Sequence, residues 1–90
     1  MSLSVLDREL SSQFGYDPRV KGLVVTELDT NGKAARAGVR AGDILREVNR
    51  RPVENINQYA SIMNQIPKGT AVQLLFIRGN SSFIAVRLVK

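Results

Sequence analysis

The stretch GKAARAGVRAGDILREVN, residues 32–49, constrains the fold of this 90-residue chain more than any other feature. Gly32 and Gly38 bracket a segment of small residues that is long enough for only about one and a half helical turns. Gly42 then allows a sharp turn that the side chain of Asp43 can bridge, and an apolar run follows. We therefore expect a short helical turn packed closely on a sheet, with a strand directly after it.

The glycines of this stretch do not form a phosphate cradle. A P-loop places a lysine and a serine or threonine directly after its glycines and leads into a long helix. Here Gly42 is followed by Asp43, whose charge would repel phosphate, and then by a strand-like run. The G-x-G-x-x-G spacing of dinucleotide-binding folds is absent too. We predict that this stretch shapes the backbone and that its own residues contact no ligand.

Length and charge narrow the class of protein. Ninety residues supply one modest hydrophobic core, so residues 1–90 are predicted to form a single domain. The formal net charge is +5, but the 13 lysines and arginines are scattered along the chain. Their one close group is Arg46, Arg50 and Arg51, and the aromatic residues do not interleave with it as a stacking platform would. A solvated basic surface is favoured, and no nucleic-acid partner is expected.

The chain contains no histidine and no cysteine. This composition excludes Ser-His-Asp triads, Cys-His dyads, disulfides, thiolate metal sites and most zinc sites. The eight acidic residues show no spacing that would pair two of them in an apolar pocket. We predict that this chain is not an enzyme and that it has no catalytic residue, no metal site and no cofactor.

The sequence shows no apolar run of the roughly 18 residues that a transmembrane helix needs. It also shows no charged segment followed by an apolar one at its start, so no signal peptide is expected in this chain. We predict no membrane insertion.

Hydrophobic periodicity predicts a chain rich in strands with two helices and short loops. The architecture typical of such a pattern is a small, partly open β-barrel or sandwich capped by helices. The predicted strands are 3–5, 21–29, 43–49, 71–79 and 81–89, the helices are 7–16 and 55–66, a one-turn element covers 33–38, a turn covers 49–53, and Gly79-Asn80 forms a hairpin turn.

Each predicted helix has an N-cap and one apolar face. Asp7 caps the first helix and Asn55 the second, with Gln58 completing a weak capping box. The apolar spacing in both helices matches one side of a 3.6-residue turn. The predicted core-facing residues are Leu6, Leu10 and Phe14 in the first helix and Tyr59, Met63 and Ile66 in the second.

The segment GKAARAGVRAGDILREVNRRPV resembles the signature of PDZ domains: a turn, Ala-Ala-x-Ala-Gly, x-x-Gly-Asp-x-Ile/Leu, then Val-Asn and a turn. KGLVVTEL ahead of it, the following helix, and GTAVQLLFIRG with its hairpin are similar as well, so the resemblance covers nearly all of the chain. A strand and a helix ahead of KGLVV is the permuted, bacterial arrangement. The lead-in LDRELSSQFGY is most similar to that of the second, C-terminal PDZ domain of HtrA/Do-like periplasmic serine proteases. The resemblance implies a β-rich α+β fold, a PDZ-like partly open barrel or sandwich of five to six strands capped by two helices.

The resemblance also implies a function, the binding of peptides by β-strand addition beside a helix. Carried onto this chain, the pairing strand is Leu3, Ser4 and Val5, and the groove-facing helix residues are Gln58, Ile62 and Gln65, with Ile66 at the edge of the pocket. Other roles stay open for several of them. Ile62 is equally well explained by core packing, the two glutamines by solvent exposure, and the two apolar strand residues by partial burial in the core. The implied ligands are apolar C-termini or extended segments of unfolded proteins.

The implied parent is a periplasmic serine endopeptidase of envelope protein quality control, with its catalytic triad on another domain. On this interpretation the chain is a piece of that longer protease, and residues 1–3 partly derive from cloning. The loop that holds the peptide carboxylate falls at or before Met1, because no glycine precedes Gly15. Other protomers or PDZ domains of the same protein are further expected partners. The alternative parents are a tail-specific protease, a site-2 protease and a secretion-system component.

Overall fold

A computed structural model describes residues 1–79 and 82–90 and shows one antiparallel sheet with three helices. The strands run in the order β1-β2-β3-β5-β6, and the short β4 pairs with β3. The predicted β-rich α+β class is confirmed. The predicted one-turn element is a short helix that lies between the two predicted helices. The elements are β1 (Ser2–Val5), α1 (Arg8–Phe14), β2 (Leu23–Glu27), α2 (Lys33–Arg36), β3 (Ile44–Val48), β4 (Arg51–Pro52), α3 (Ile56–Asn64), β5 (Ala71–Arg78) and β6 (Ser82–Val89).

The helix α1 forms as its sequence predicts. The Asp7 carboxylate accepts a hydrogen bond from the Leu10 backbone N–H at 2.8 Å, and Gly15 ends the helix in the left-handed region at φ 76°. The predicted apolar face is confirmed, because its three residues belong to a small hydrophobic cluster on one side of the sheet. That cluster combines Leu6, Leu10 and Phe14 with Tyr16, Val20, Val24, Ile44 and Ile77.

Asn55 caps α3 as predicted, but Gln58 Oε1 accepts from the Glu54 N–H at 2.7 Å and not from the Asn55 N–H of the predicted capping box. Asn55 Oδ1 accepts from the Gln58 N–H at 2.8 Å. Ile62 and Ile66 are the buried residues of this helix segment, whereas Tyr59 and Met63 are only half-buried. The three residues of the predicted core face, Tyr59, Met63 and Ile66, all contact the main core, and Ile62 is buried beside them. The apolar stripe is wider than the contact with the sheet, so one side of the stripe opens onto a cavity.

The main core lies between the sheet and α3. Most of its fully buried residues come from the central strands, and Val39 and Val53 add to them from the adjoining loops. The strand residues include Leu23, Val25, Leu45, Val48, Val72 and Phe76. The predicted hairpin turn at Gly79-Asn80 falls partly outside the described residues, but the β5–β6 pairing is in register from Ala71 opposite Val89 to Arg78 opposite Ser82.

The loop between α2 and β3 is organised around a buried carboxylate. Asp43 accepts one hydrogen bond from the Arg40 backbone N–H at 2.9 Å, so its side chain bridges the turn as predicted. Arg78 at the end of β5 donates to both carboxylate oxygens, at 2.9 and 2.8 Å, and to the Gly38 carbonyl at 2.7 Å. This ion pair raises the pKa of the Arg78 guanidinium. Gly42 sits at φ 94°, which an L side chain rarely adopts. These contacts are internal, in keeping with a scaffold role for the loop.

Replacing Arg78 with methionine is expected to lower the free energy of unfolding by about 2 kcal/mol. Methionine keeps an apolar stem at this position. The Asp43 carboxylate, whose side chain is 2% exposed, accepts three hydrogen bonds in the parent chain and would keep only the one from the Arg40 N–H. Urea denaturation measures the change. The matched control is Arg87→Met on the exposed face of β6, expected to change stability by less than about 0.5 kcal/mol. Equal effects of the two substitutions would contradict a stabilising role for the Asp43–Arg78 pair.

Candidate functional site

The strand β1 ends the sheet, and within residues 1–79 and 82–90 it pairs only with β2. Val25 of β2 directs its backbone to the opposite side: its N–H donates to the Asp43 carbonyl at 2.8 Å and its carbonyl accepts from Gly42 at 2.7 Å. Leu3, which lies opposite Val25, is therefore in a non-hydrogen-bonded pair. Its own N–H and C=O, and those of Val5 two residues later, point away from the sheet and are free to pair with an added strand.

The side chains of β1 alternate as a strand requires. Leu3 is half-buried and packs on the main core, whereas Val5 on the same face is 48% exposed. Ser4 points to the other face and is half-buried. The three predicted strand residues thus form one exposed edge whose inner face is apolar.

A cavity of about 310 Å³ opens where β1 begins and where α3 lies against the sheet. Its wall is mainly apolar, and the charged residues Asp29 and Lys33 also line it. Tyr59 and Met63 supply the α3 side of this wall, which is why they are only half-buried in the core. The apolar lining includes Met1, Leu28, Tyr59, Met63, Leu74 and Leu88.

The helix residues predicted for the groove lie toward β4 instead. Gln65 Oε1 accepts from Arg51 Nη1 at 2.9 Å, and Gln58 Oε1 accepts from the Glu54 N–H at 2.7 Å. Ile62 is 6% exposed, belongs to the core, and with Gln58 lines an open groove of about 550 Å³ along β4. The structure therefore brings these helix residues together on one side, but not into the cavity beside β1.

Ile66 also belongs to the core, and its carbonyl accepts a hydrogen bond from the Lys90 ammonium at 2.6 Å, as does that of Met63. The apolar spacing predicts Tyr59 and Met63 as core residues, and in the structure both contact the core and also line the cavity. The i, i+4 spacing of these two residues is the same for a core face and for a groove wall. Sequence alone gave no signal that separates the two roles.

The described part of the chain holds no cluster of three or more acidic residues placed to bind a metal ion. None of its helices is long and apolar enough to cross a membrane.

Comparison with known proteins matches this geometry to a family. A family model described as PDZ domain matches residues 24–78. A probable periplasmic serine endoprotease DegP-like of Halomonas elongata is 39% identical over 70 residues, which are 77% of this chain and 15% of that protein. The solved HtrA3 PDZ domain bound to a phage-derived ligand (FGRWV) has a TM-score of 0.78 at 20% identity, covering 99% of this chain and 79% of that one.

A second solved structure, HtrA-type protease AlgW with decapeptide, has a TM-score of 0.83 at 20% identity, covering 96% of this chain and 26% of that one. At this identity the two structures share the fold with this chain. A probable periplasmic serine protease do/HhoA-like of Haemophilus influenzae is 36% identical over 69 residues, and the chain spans 14% of its length. The chain therefore corresponds to a small part of the curated relatives that it matches.

Both tyrosines of the chain are expected to ionise above pH 10. Burial raises the pKa of the Tyr59 hydroxyl above 10.0, and burial raises that of Tyr16. Because the unfolded chain loses these protons near pH 10, the folded state binds more protons above that pH, and stability falls as pH rises through the raised pKa values. Absorbance titration of tyrosinate, with Tyr16→Phe to isolate Tyr59, measures the midpoints. A native-state midpoint for Tyr59 at or below pH 10 would show that its hydroxyl is not buried at the cavity.

Proposed function

This chain belongs to the PDZ-domain family, and on that premise we propose that it binds extended peptide segments, preferably apolar C-termini, at the free edge of β1. The observation that supports this most is the direction of the backbone groups of Leu3 and Val5. Each offers one N–H donor and one C=O acceptor to an incoming strand. Main-chain pairing of this kind supplies affinity without requiring a particular peptide sequence.

The cavity beside the start of β1 supplies side-chain selectivity. Its volume of about 310 Å³ and its apolar wall suit one or two aliphatic or aromatic side chains. An antiparallel peptide on β1 would end near Met1, so its last side chain would reach Tyr59 and Met63. We assign these two residues to the pocket for the last side chain.

The other side of α3 remains a second candidate wall. Gln58, Ile62, Gln65 and Ile66 are the residues that the family resemblance assigns to the groove. Gln58 and Ile62 line an open groove, but Gln65 is occupied by Arg51. We favour the Tyr59 side because it is apolar and adjoins β1. We also propose that Ser4 holds the pairing strand in place, because its backbone groups point toward β2.

The parent protein, on this proposal, is an HtrA/Do-like periplasmic serine endopeptidase of envelope protein quality control. The curated relatives bear names of periplasmic serine endoproteases, and this chain spans 14–19% of several of them. Since the chain has no histidine, a Ser-His-Asp triad would lie on another domain. The domain would then present polypeptide C-termini or unfolded segments to that centre. The alternative is a PDZ domain of another bacterial protein, such as a tail-specific or site-2 protease or a secretion-system component.

Replacing Val5 with proline is expected to weaken peptide binding by about tenfold or more. Proline removes the outward N–H of residue 5 and leaves the β1–β2 hydrogen bonds in place, because edge strands tolerate it. Isothermal titration with a pentapeptide that ends in valine and carries a free carboxylate measures the affinity.

The matched control is Val5→Ala, which truncates the same side chain but keeps the N–H, and it is expected to bind within about threefold of the parent chain. Circular dichroism and urea denaturation establish that both variants are folded. Binding by Val5→Pro at the strength of Val5→Ala would show that the peptide does not pair with β1.

Replacing Met63 with alanine is expected to weaken binding of the same peptide by about fivefold, because the cavity loses part of its apolar wall. Gln65→Ala, which removes a hydrogen bond on the opposite side of α3, is expected to leave the affinity unchanged. The same titration compares the two variants. A larger loss in Gln65→Ala than in Met63→Ala would move the pocket to the β4 side of the helix.

A further inference from the structure

The strand β6 forms the other end of the sheet and presents a longer edge than β1. It runs over eight residues, Ser82–Val89, and within the described residues it pairs only with β5. It contains no proline, and Arg87 is its one charged residue. Soluble proteins normally shorten, charge or cover such edges, because an open strand is a template for pairing with another chain.

The outward backbone groups of β6 can be identified from the bonds of β5. Gln73 directs its backbone toward β3: its N–H donates to Asn49 Oδ1 and its carbonyl accepts from the Asn49 N–H, both at 2.8 Å. Arg87 lies opposite Gln73 and is therefore in a non-hydrogen-bonded pair. By the alternation of a strand, the N–H and C=O groups that point away from the sheet are those of residues 83, 85, 87 and 89.

Both faces of this edge carry apolar side chains that the single chain does not cover. On the outer face Phe83 is 66% exposed and Val89 is 48% exposed. On the inner face Ile84 and Leu88 are half-buried at the margin of the main core. Large apolar side chains left open on both faces of an unpaired edge are typical of an interaction surface.

We propose that β6 pairs antiparallel with β6 of a second copy of this domain about a two-fold axis at Val86. The outward groups allow registers in which odd residues oppose odd residues. With Val86 opposite itself, Phe83 opposes Val89 of the second copy and Ala85 opposes Arg87 of the second copy.

In this register the side chains of the two β6 strands complement each other. Each exposed aromatic ring gains an aliphatic cross-strand neighbour, and on the inner face Ile84 meets Leu88 of the second copy. Shifting the register one way places Arg87 opposite Arg87 of the second copy, where like charges repel. Shifting it the other way pairs Leu88 with a serine, Ser82 of the second copy. The Val86 register avoids both.

The two-fold arrangement also gives a closed dimer. Because each β6 edge is used once and by its equal, the contact ends at a dimer and does not continue into a fibre. Lys90, directly after β6, donates to the carbonyls of Met63 in α3 and of Ile66 just after it, which keeps the end of the edge in place. A single strand pair with a small apolar patch belongs to the weak class of interfaces, so association is expected at protein concentrations on the order of 100 µM.

Sedimentation equilibrium of the 9.9 kDa chain tests the proposal. The weight-average mass is expected to rise toward twice that of the monomer as the protein concentration increases. Ala85→Pro removes an outward N–H on β6 and is expected to abolish the rise, whereas Ala85→Ser keeps the N–H and the dimer. Val5→Pro, on the opposite edge, is expected to dimerise like the parent chain, and Ala85→Pro to bind peptide like it. Circular dichroism of Ala85→Pro verifies its fold.

Cross-linking tests the register independently, since the chain has no cysteine of its own. Mixing Ala85→Cys with Arg87→Cys under mild oxidation is expected to give mainly the mixed disulfide dimer, because opposed residues lie within disulfide reach. A parent chain that stays monomeric at about 1 mM, or a dimer lost in Val5→Pro and kept in Ala85→Pro, would overturn the proposal. So would Ala85→Cys cross-linking with itself as readily as with Arg87→Cys.

Discussion

The fold depends on how one buried carboxylate is held. Asp43 begins the central strand region, and its oxygens are taken by the guanidinium of Arg78 and by a backbone N–H of its own turn. Beside it, the Tyr16 hydroxyl donates to the Gly42 carbonyl at 2.6 Å and accepts from the Gly79 N–H at 3.2 Å. These bonds join the end of α1, the loop before β3 and the end of β5. Because β1 pairs with β2 and β2 pairs with β3, the position of the β1 edge depends in part on the turn that Asp43 holds.

Much of the fold could be predicted from sequence because its constraints are local. Gly38 and Gly42 lie at φ 110° and 94°, conformations that favour glycine, so their spacing marks the loop before any tertiary contact is known. The helix caps at Asp7 and Asn55 likewise use donors three residues away. The resemblance to PDZ domains rested on these positions and was confirmed by comparison with the family.

The helix side of the site could not be predicted in the same way. Four apolar residues, Tyr59, Ile62, Met63 and Ile66, form a stripe wider than the contact between α3 and the sheet. Which of them faces inward is decided by how the helix packs, a tertiary property that the spacing does not carry. Gln65, predicted to face the groove or solvent, accepts a hydrogen bond from Arg51, fourteen residues earlier in the chain. On the strand side, the predicted backbone pairing depends only on the alternation of an edge strand and not on its side chains.

Hydrogen exchange at β1 is the most direct test of peptide pairing at this edge. In the free domain the Ser4 amide, directed toward β2, is expected to exchange slowly, and the amides of Leu3 and Val5 to exchange fast. Saturation with an apolar C-terminal peptide should slow exchange at Leu3 and Val5 by about tenfold or more and leave Ser4 little changed. Unchanged exchange at Leu3 and Val5 in the peptide-saturated domain would contradict the proposed strand addition.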